Sequence, residues 1–519
     1  MQYPAHGAHT VAEGGFGRMK LLDQLTPAQH SNDDLIALAK AMISPHDDAK
    51  DGADDEENPF TPAGYTYLGQ FVDHDLTFDA HSNFDDPTSL AHAANERTPR
   101  FDLDNIYGRG PEDQPYLYAD PFDGTLLLGE ALENGVPDVQ RNANGRAIIG
   151  DPRNDENSIV AQLQSAFIRF HNSLVRQAAT TGRNAAEAFA WARLKTRQHY
   201  QRMLLDDFLP RVIDTEASTV KPTLTALKQG RHPTLRLYDL TRPSYMPIEF
   251  SVAAYRFGHS MVRPGYRLSV APGDRPLTAP DNKRLFPIFD GADGGLRGFR
   301  KLDPGKHIDW SLFFSADLPA GQAMDNGEGA PNNAKALLRT QLAYKIDTML
   351  VDPLSMLPPA IASSVPSLAE RNLRRGRDFG LPSGQHAAAI VGAAVLPDAK
   401  LTVRVDNAFD NRRPIADIAP TFKGNAPLWF YILAEAEQGV IDGVAAGKDP
   451  LALGARLGPL GGAIVLETFV GLMLKDPDSV LNVGPMWRSI NNKPTFTMAE
   501  LFAEIGVALA AEKTLVPAE

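Results

Sequence analysis

Gly69-Gln70-Phe71-Val72-Asp73-His74-Asp75 is the stretch on which the reading of this chain turns. On a helix, Gln70 and His74 are one turn apart and share a face. Asp73 and Asp75 flank the histidine and point about 100° to either side of it. One short helix would then present His74 to a pocket, Asp73 to one side and Asp75 to another. A histidine between two aspartates is also a common surface or salt-linked residue, and a bare Asp-His-Asp suits a metal site. The apolar pair Phe71-Val72 and its apolar and aromatic flanks favour burial.

Further along, Thr98-Pro-Arg100-Phe-Asp102-Leu-Asp104-Asn-Ile-Tyr107-Gly places oxygen donors at every second residue. In an extended loop, alternate side chains point the same way. Thr98, Asp102 and Asp104 can converge there, with the carbonyl of Arg100. Such a set of hard ligands suits calcium, although the spacing is not that of an EF-hand, and a capped turn is the alternative. Gly150-Asp151-Pro152-Arg153-Asn154-Asp155-Glu156-Asn157 precedes an apolar periodic run, so a capping box with a surface ion pair between Arg153 and Glu156 is its plain reading. In Tyr255-Arg256-Phe257-Gly258-His259, Gly258 would let a flat ligand approach the histidine closely. Arg256 lies one turn upstream of it. A histidine satisfied within the core is the competing reading.

Composition narrows the class. The 519 residues are 43% hydrophobic and 22% charged, ordinary for a globular protein with a large core. The net charge is -13, from 51 basic and 64 acidic side chains, and there is no long basic run. Nucleic acid and anionic membranes are poor partners for such a surface. The absence of cysteine excludes disulfides, thiolate metal sites and cysteine nucleophiles. The N-terminus lacks a basic start followed by an apolar stretch, so no signal peptide is read. The most apolar stretch, Leu457 to Leu474, is broken by Glu467 and diluted by glycines, which suits a buried helix rather than a membrane span. No transmembrane segment is therefore expected, and the location is cytoplasmic or reached by a non-classical export route.

Helical periodicity dominates from Tyr65 onward. Ile159, Leu163, Phe167, Phe170 and Leu174 lie on one face of a helix over 158–178. Residues 185–205, 335–350, 385–395, 427–438 and 462–475 also read as helices. Period-two alternation is rare, so short β-ribbons are the most expected. Residues 1–32 read as an extended arm and 46–58 as a solvated acidic loop. The organisation expected is an arm and acidic loop over 1–58, followed by one mainly α domain over 59–519.

Taken together, GQFVDHD, RTPRFDLDNIYG, GDPRNDEN followed by FIRFHN, YRFGH and NLRRGRDFGLP resemble the animal-type haem peroxidases, the peroxidase–cyclooxygenase superfamily. The resemblance covers roughly residues 60–385 in the family's order, and 395–519 only loosely. It implies a single large helical haem-peroxidase domain that reduces hydrogen peroxide and oxidises halides, pseudohalides or small organic, chiefly phenolic, donors. Haem b and calcium are the implied cofactors.

Residue by residue, His74 resembles the distal histidine, Gln70 a distal hydrogen-bonding residue and Arg153 the catalytic arginine. His259 resembles the proximal ligand of the haem iron, and Asn372 the asparagine that hydrogen-bonds it. Arg256 resembles the arginine that holds a haem propionate. Asp73 and Glu156 fall where mammalian members form esters to haem methyl groups. Asp75, Thr98, Arg100 through its carbonyl, Asp102 and Asp104 match the calcium ligands. Two departures stand out. Asn157 replaces a methionine that links to a haem vinyl group in one mammalian member, so that link and strong chloride oxidation are not expected. Asp104 replaces a serine at the calcium site and adds negative charge. The missing disulfides suggest a prokaryotic relative. The rivals are a fatty-acid dioxygenase or cyclooxygenase-like oxygenase and a non-catalytic binding protein on the same fold. The oxygenases carry a radical-forming tyrosine three residues before the proximal histidine. Here that position holds Arg256, with Tyr255 one earlier.

Overall fold

Helix starts in this chain are chemically marked. The side chains of Ser31, Asn157, Asn184, Ser367 and Ser383 each accept a hydrogen bond from a backbone N–H in the turn that follows. Each cap of this kind stabilises its helix by about 1 kcal/mol. The computed structural model describes residues 15–44, 56–78, 95–119, 122–269, 285–289, 295–316, 340–359, 361–362, 364–406 and 408–509. Among them the longer helices are α1 (Asn32–Ala41), α2 (Gly64–Leu76), α3 (Ser158–Ala179), α4 (Ala185–Met203), α5 (Lys221–Lys228), α6 (Leu368–Asp378), α7 (Gly384–Val391), α8 (Leu428–Ala445) and α9 (Pro459–Lys475). The described strands are short and pair only in twos. The architecture is mainly α, as the periodicity implies.

The pattern over 158–178 becomes α3, and its apolar stripe packs on α2. Phe71 of α2 stacks on Phe167 of α3, with ring centroids 4.6 Å apart and planes 9° from parallel. Tyr200 of α4 sets its edge against both rings, at 6.2 and 5.8 Å. All three rings are buried. Truncating Phe71 to alanine would cost about 3–5 kcal/mol. The α2–α3–α4 packing thus fixes the helix that bears His74.

Two expectations are corrected. The helix read over 335–350 is absent from its described part, where Leu342–Tyr344 and Leu350–Val351 are strands. Residues 340–350 are buried throughout, and a fully buried extended run has no polar face to distinguish it from a buried helix. Most of the acidic loop lies outside the described residues, but Glu56 and Glu57 at its end are buried, not solvated. Glu57 pairs with Arg263 at 2.8 Å, and Glu56 with Arg404. Arg404 also meets Asp347 and Glu437, so one fully buried cation ties together segments far apart in the chain. Leaving any one of these charges unpaired in the interior would be strongly destabilising. Residue 58 falls inside the strand Glu57–Pro62, and Leu35, Leu38 and Met42 from the preceding segment are part of the core. The arm's residues 1–14 also lie outside the described set.

The apolar stretch over 457–474 becomes α9, buried along its length. Glu467 earns its place there by accepting hydrogen bonds from the backbone N–H groups of Leu237, at 2.6 Å, and Tyr238, at 3.1 Å. Among the described residues no helix is long and apolar enough to cross a membrane.

Candidate active site

Gln70, Asp73 and His74 on α2 line a cavity of about 450 Å³. Arg153, Glu156 and Asn157, which lead into α3, line it too, as do Arg256, Gly258 and His259. The fold therefore gathers both histidine motifs and the arginine motif around one space, although they span nearly two hundred residues. His259 ends a tight 3₁₀ stretch, Ala254–His259, that follows a wide π-turn over Glu249–Ala253. Such irregular helical turns are frequent at functional sites.

His74 is buried, and its Nδ1 lies 2.7 Å from Asn154 Oδ1. Burial, helped by the charge of Arg153, pushes its pKa down to about 4, so the ring is neutral at neutral pH. Arg153 is held on three sides. Its Nη2 donates to the carbonyls of His74, at 3.1 Å, and Thr77, at 2.7 Å, and its Nε and Nη2 donate to Asp151. The plain reading of an Arg153–Glu156 surface pair is replaced by this pairing of a half-buried Arg153 with the buried Asp151. Gln70 donates from its amide nitrogen to Glu156 and accepts from Asn157 Nδ2 at 3.1 Å. Burial pushes the Glu156 carboxyl up to about 7, against the pull of Arg153. Partial burial alone would raise the half-buried Asp73 carboxyl, yet Arg256, 3.2 Å away, heads the charges that hold it below the ordinary value.

His259 Nδ1 lies 2.7 Å from Asn372 Nδ2. In that orientation the amide donates and the ring proton sits on Nε2. A ring that offers Nε2 to a metal needs the amide turned so that its oxygen accepts from Nδ1–H. Burial, then Arg256, pushes the His259 pKa down to about 3, which keeps the ring neutral and able to ligate.

An iron porphyrin fits the residues present. A Cβ built on Gly258 would meet no atom within 4 Å, so a flat group has room beside His259. Arg256, Arg371 and Arg375 line the cavity and bring cationic side chains that suit carboxylates, while Val252, Val262 and Leu296 line it with apolar surface. Arg371 immediately precedes NLRRGRDFGLP and Arg375 lies within it, one turn apart around Asn372, and nothing local in the sequence marks either as a cavity residue. Asp151 and Asn154 were also passed over, and both sit inside the quoted GDPRNDEN. Phe16 lines the cavity too. Its short strand pairs with Met246–Pro247, and the Met19 N–H next to it donates to the buried Glu249.

The oxygen-rich loop comes up against α2. Thr98 Oγ1 donates to Asp102 at 2.7 Å and to Asp104 at 3.3 Å, and the Asp104 N–H donates to Asp75 at 3.1 Å. Arg100 sits in the turn between them, its N–H donating to the Thr98 carbonyl. Leu103 is left-handed, with φ 62°, which turns the chain into the helical turn over Asp104–Tyr107. Asp75 Oδ2 and Asp102 Oδ1 are buried without hydrogen-bond partners. Burial, then repulsion from Asp104, pushes the Asp102 carboxyl up to about 7, and burial, then repulsion from Asp102 and Asp104, pushes Asp75 well above its usual value. The Thr98 hydroxyl serves both Asp102 and Asp104 in this arrangement, and among the described residues no three acidic, histidine or cysteine side chains stand in metal-holding geometry.

The model of the animal haem peroxidase family matches residues 80–396, a span that begins after α2 and includes Arg153, His259 and Asn372. Rat thyroid peroxidase is 25% identical over 343 residues, covering 64% of this chain and 31% of that protein. Dog thyroid peroxidase is 29% identical over 242 residues, 45% of this chain and 21% of that protein. The chain thus spans less than a third of the length of these curated relatives. Among solved structures, peroxidase A from Dictyostelium discoideum superposes with a TM-score of 0.60 at 15% identity, covering 96% of this chain and 95% of that one. A variant of Oryza sativa fatty acid alpha-dioxygenase with palmitic acid superposes with a TM-score of 0.55 at 14% identity, covering 97% and 80%. At such identities the two structures speak for the fold alone. Since the family's model accounts for more than half of its length, the chain belongs to the animal haem peroxidases.

Proposed function

We propose that this chain is a haem peroxidase, reducing hydrogen peroxide and oxidising a halide, a pseudohalide or a small phenolic donor. The observation that carries the reading is one cavity lined by two neutral imidazoles, His74 and His259, with the Arg153 guanidinium beside the first. His259 would hold the iron, and Arg256, Arg371 and Arg375 would take the carboxylates of the porphyrin. Haem, when bound, supplies the iron that binds peroxide and takes up its oxidising equivalents.

The chain's own residues manage protons and charge. Neutral His74 takes a proton from the peroxide oxygen and returns it to the departing one, as base and then acid. Arg153 stabilises the negative charge that grows on the O–O unit, and a guanidinium keeps its own proton throughout. Because Asp151 and two carbonyls hold that guanidinium beforehand, it need not reorganise during the reaction. Asn372 keeps His259 in one orientation.

Two finer features belong to the same proposal. Calcium would bind Asp75, Thr98, the Arg100 carbonyl, Asp102 and Asp104, with the Thr98 hydroxyl turned away from the carboxylates. The two partnerless buried carboxylate oxygens, Asp75 Oδ2 and Asp102 Oδ1, support a cation site there. Asp73 and Glu156, carboxylates on the cavity wall, would form ester links to haem methyl groups. One observation favours the oxygenase alternative. The Tyr255 hydroxyl is buried at the cavity wall without a hydrogen-bond partner. Oxygen uptake with an unsaturated fatty acid distinguishes that chemistry.

The test is a visible spectrum of protein made with ample haem, followed by stopped-flow mixing with peroxide and steady-state turnover of iodide or a phenol. His74→Ala should slow the reaction with peroxide by about a hundredfold or more while haem stays bound. His259→Ala should lose most of the haem absorbance. A colourless wild type, or one that oxidises none of these donors, would end the peroxidase reading.

A further inference from the structure

We propose that Asn154 and Gln164 are positioning residues, a relay that decides which nitrogen of His74 carries its proton. The inference rests on the reading of His74 as the base that deprotonates peroxide.

A carboxamide has a donating and an accepting end, so a contact between Asn154 and a histidine does not by itself fix the proton. The rest of the chain of bonds does. Asn154 Nδ2 donates to Gln164 Oε1 at 2.8 Å. Gln164 Nε2 donates to the backbone carbonyl of Asn105 at 3.0 Å. A carbonyl oxygen only accepts, so Gln164 must turn its nitrogen to it and its oxygen to Asn154. Asn154 must then spend its nitrogen on Gln164 and offer its oxygen, Oδ1, to His74 Nδ1, 2.7 Å away. That oxygen calls for a proton on Nδ1. In a neutral ring the other nitrogen, Nε2, is then a bare lone pair.

Nε2 is the nitrogen turned toward Glu156, which lines the cavity. The opposite tautomer would show the cavity an N–H, which cannot take a proton. Asn154, Gln164 and Asn105 are all completely buried, so no solvent is at hand to repair a reversed amide. The relay also closes on the helix it serves. Asn105 Nδ2 donates to the carbonyl of Phe71, one turn before His74 on α2. The carbonyl that sets the order is therefore held against the same helix as the ring whose proton it fixes.

Cyanide provides a readout separate from turnover, because hydrogen cyanide must also surrender its proton to bind. The experiment measures cyanide association with the ferric holoprotein at neutral pH by stopped flow, and the peroxide reaction in parallel. The variants are His74→Ala, Asn154→Leu, Asn154→Asp and Gln164→Leu, each matched for haem content. His74→Ala and Asn154→Leu should both slow cyanide association, the latter about tenfold. Asn154→Asp keeps an oxygen that accepts from Nδ1–H and, when protonated, an O–H for Gln164, so it should be slowed clearly less than Asn154→Leu. Gln164→Leu frees Asn154 to turn and should slow association about as much as Asn154→Leu does. If Asn154→Leu fails to take up haem, Gln164→Leu decides the matter. Wild-type rates in Asn154→Leu or Gln164→Leu, with His74→Ala slow, would overturn the relay and leave His74 as the base. Equal slowing in Asn154→Asp and Asn154→Leu would reduce Asn154 to a packing residue and overturn it as well. Unchanged rates in His74→Ala would instead remove the base reading, and the relay with it.

Discussion

Asp151 grips Arg153 at two nitrogens, with Oδ1 3.1 Å from Nε and Oδ2 2.7 Å from Nη2, and it does so with no exposed surface of its own. The same carboxylate pairs with Arg97. Replacing it by asparagine strands two partly buried cations and releases the aim of Arg153. Asp151→Asn should lower stability by about 3 kcal/mol, read as a shift in urea midpoint. It should also slow the peroxide reaction while leaving bound haem in place. Burial alone would raise the Asp151 carboxyl, but Arg153, its hydrogen bonds, His74 and Arg97 hold it well below the usual carboxylate range. A depressed carboxyl contributes its stability above its unfolded pKa of about 4, and that contribution is lost as pH falls further. The variant should lack this part of the wild type's acid sensitivity.

His171 supplies a pH effect of the other kind. It is buried in α3, with Nε2–H donating to the Gly124 carbonyl and Nδ1 accepting from the Tyr107 hydroxyl. Burial pushes its pKa down to about 4 from an unfolded value near 6.5. The unfolded chain therefore binds the extra proton in that window, and stability falls as pH drops from about 6.5 to 4. The loss attributable to this residue is about 3 kcal/mol at most. Several buried carboxyls with raised pKa act in the opposite sense, so the measurement is a difference. Wild type should lose more stability than His171→Gln between pH 6.5 and 4.5 in urea titrations, and parallel curves would refute the assignment.

Chelation tests the loop over 98–104. If a divalent cation sits among Asp75, Asp102 and Asp104, it holds α2 to that loop. A ligand present at a hundred times its Kd stabilises by about 2.7 kcal/mol. Treatment with a calcium chelator should lower the melting temperature by several degrees, and calcium, not magnesium, should restore it. Asp102→Ala should melt at the same temperature with and without chelator.

The ester proposal separates cleanly from haem binding itself. After repeated turnover with peroxide, acidified organic solvent should leave haem on the wild-type polypeptide. It should extract more from Asp73→Ala or Glu156→Ala, and all of it from the double variant. Complete extraction from the wild type would dispose of both links.

The fold and much of the site were legible because their signals are local. One helical turn relates Gln70 to His74, and a continuous apolar stripe with a good N-cap defines α3. The relay to His74 was not legible. Asn154 approaches it from eighty residues away, and Gln164 sits on α3, where a polar residue reads as surface although it is buried. Glu56 and Glu57 misled for the same reason. Their partners Arg404 and Arg263 are hundreds of residues distant, so an acidic run looked solvated when its end is in the interior. The extended stretch around Leu342–Tyr344 failed differently, since burial on every side erases the periodicity that separates strand from helix.

The wall contributed by Phe16 has a consequence for biosynthesis. The ribosome makes that phenylalanine early, but the backbone it docks on, Met246–Pro247, emerges some 230 residues later. At cellular elongation rates the wait is roughly ten to fifty seconds. Through that interval the strand around Phe16 lacks its partner, and its part of the cavity wall is not in place. Because Arg371, Arg375 and Phe379 line the cavity as well, prosthetic-group capture has to await synthesis of at least that much of the chain, and bulk attached just ahead of Phe16 would be expected to hinder it.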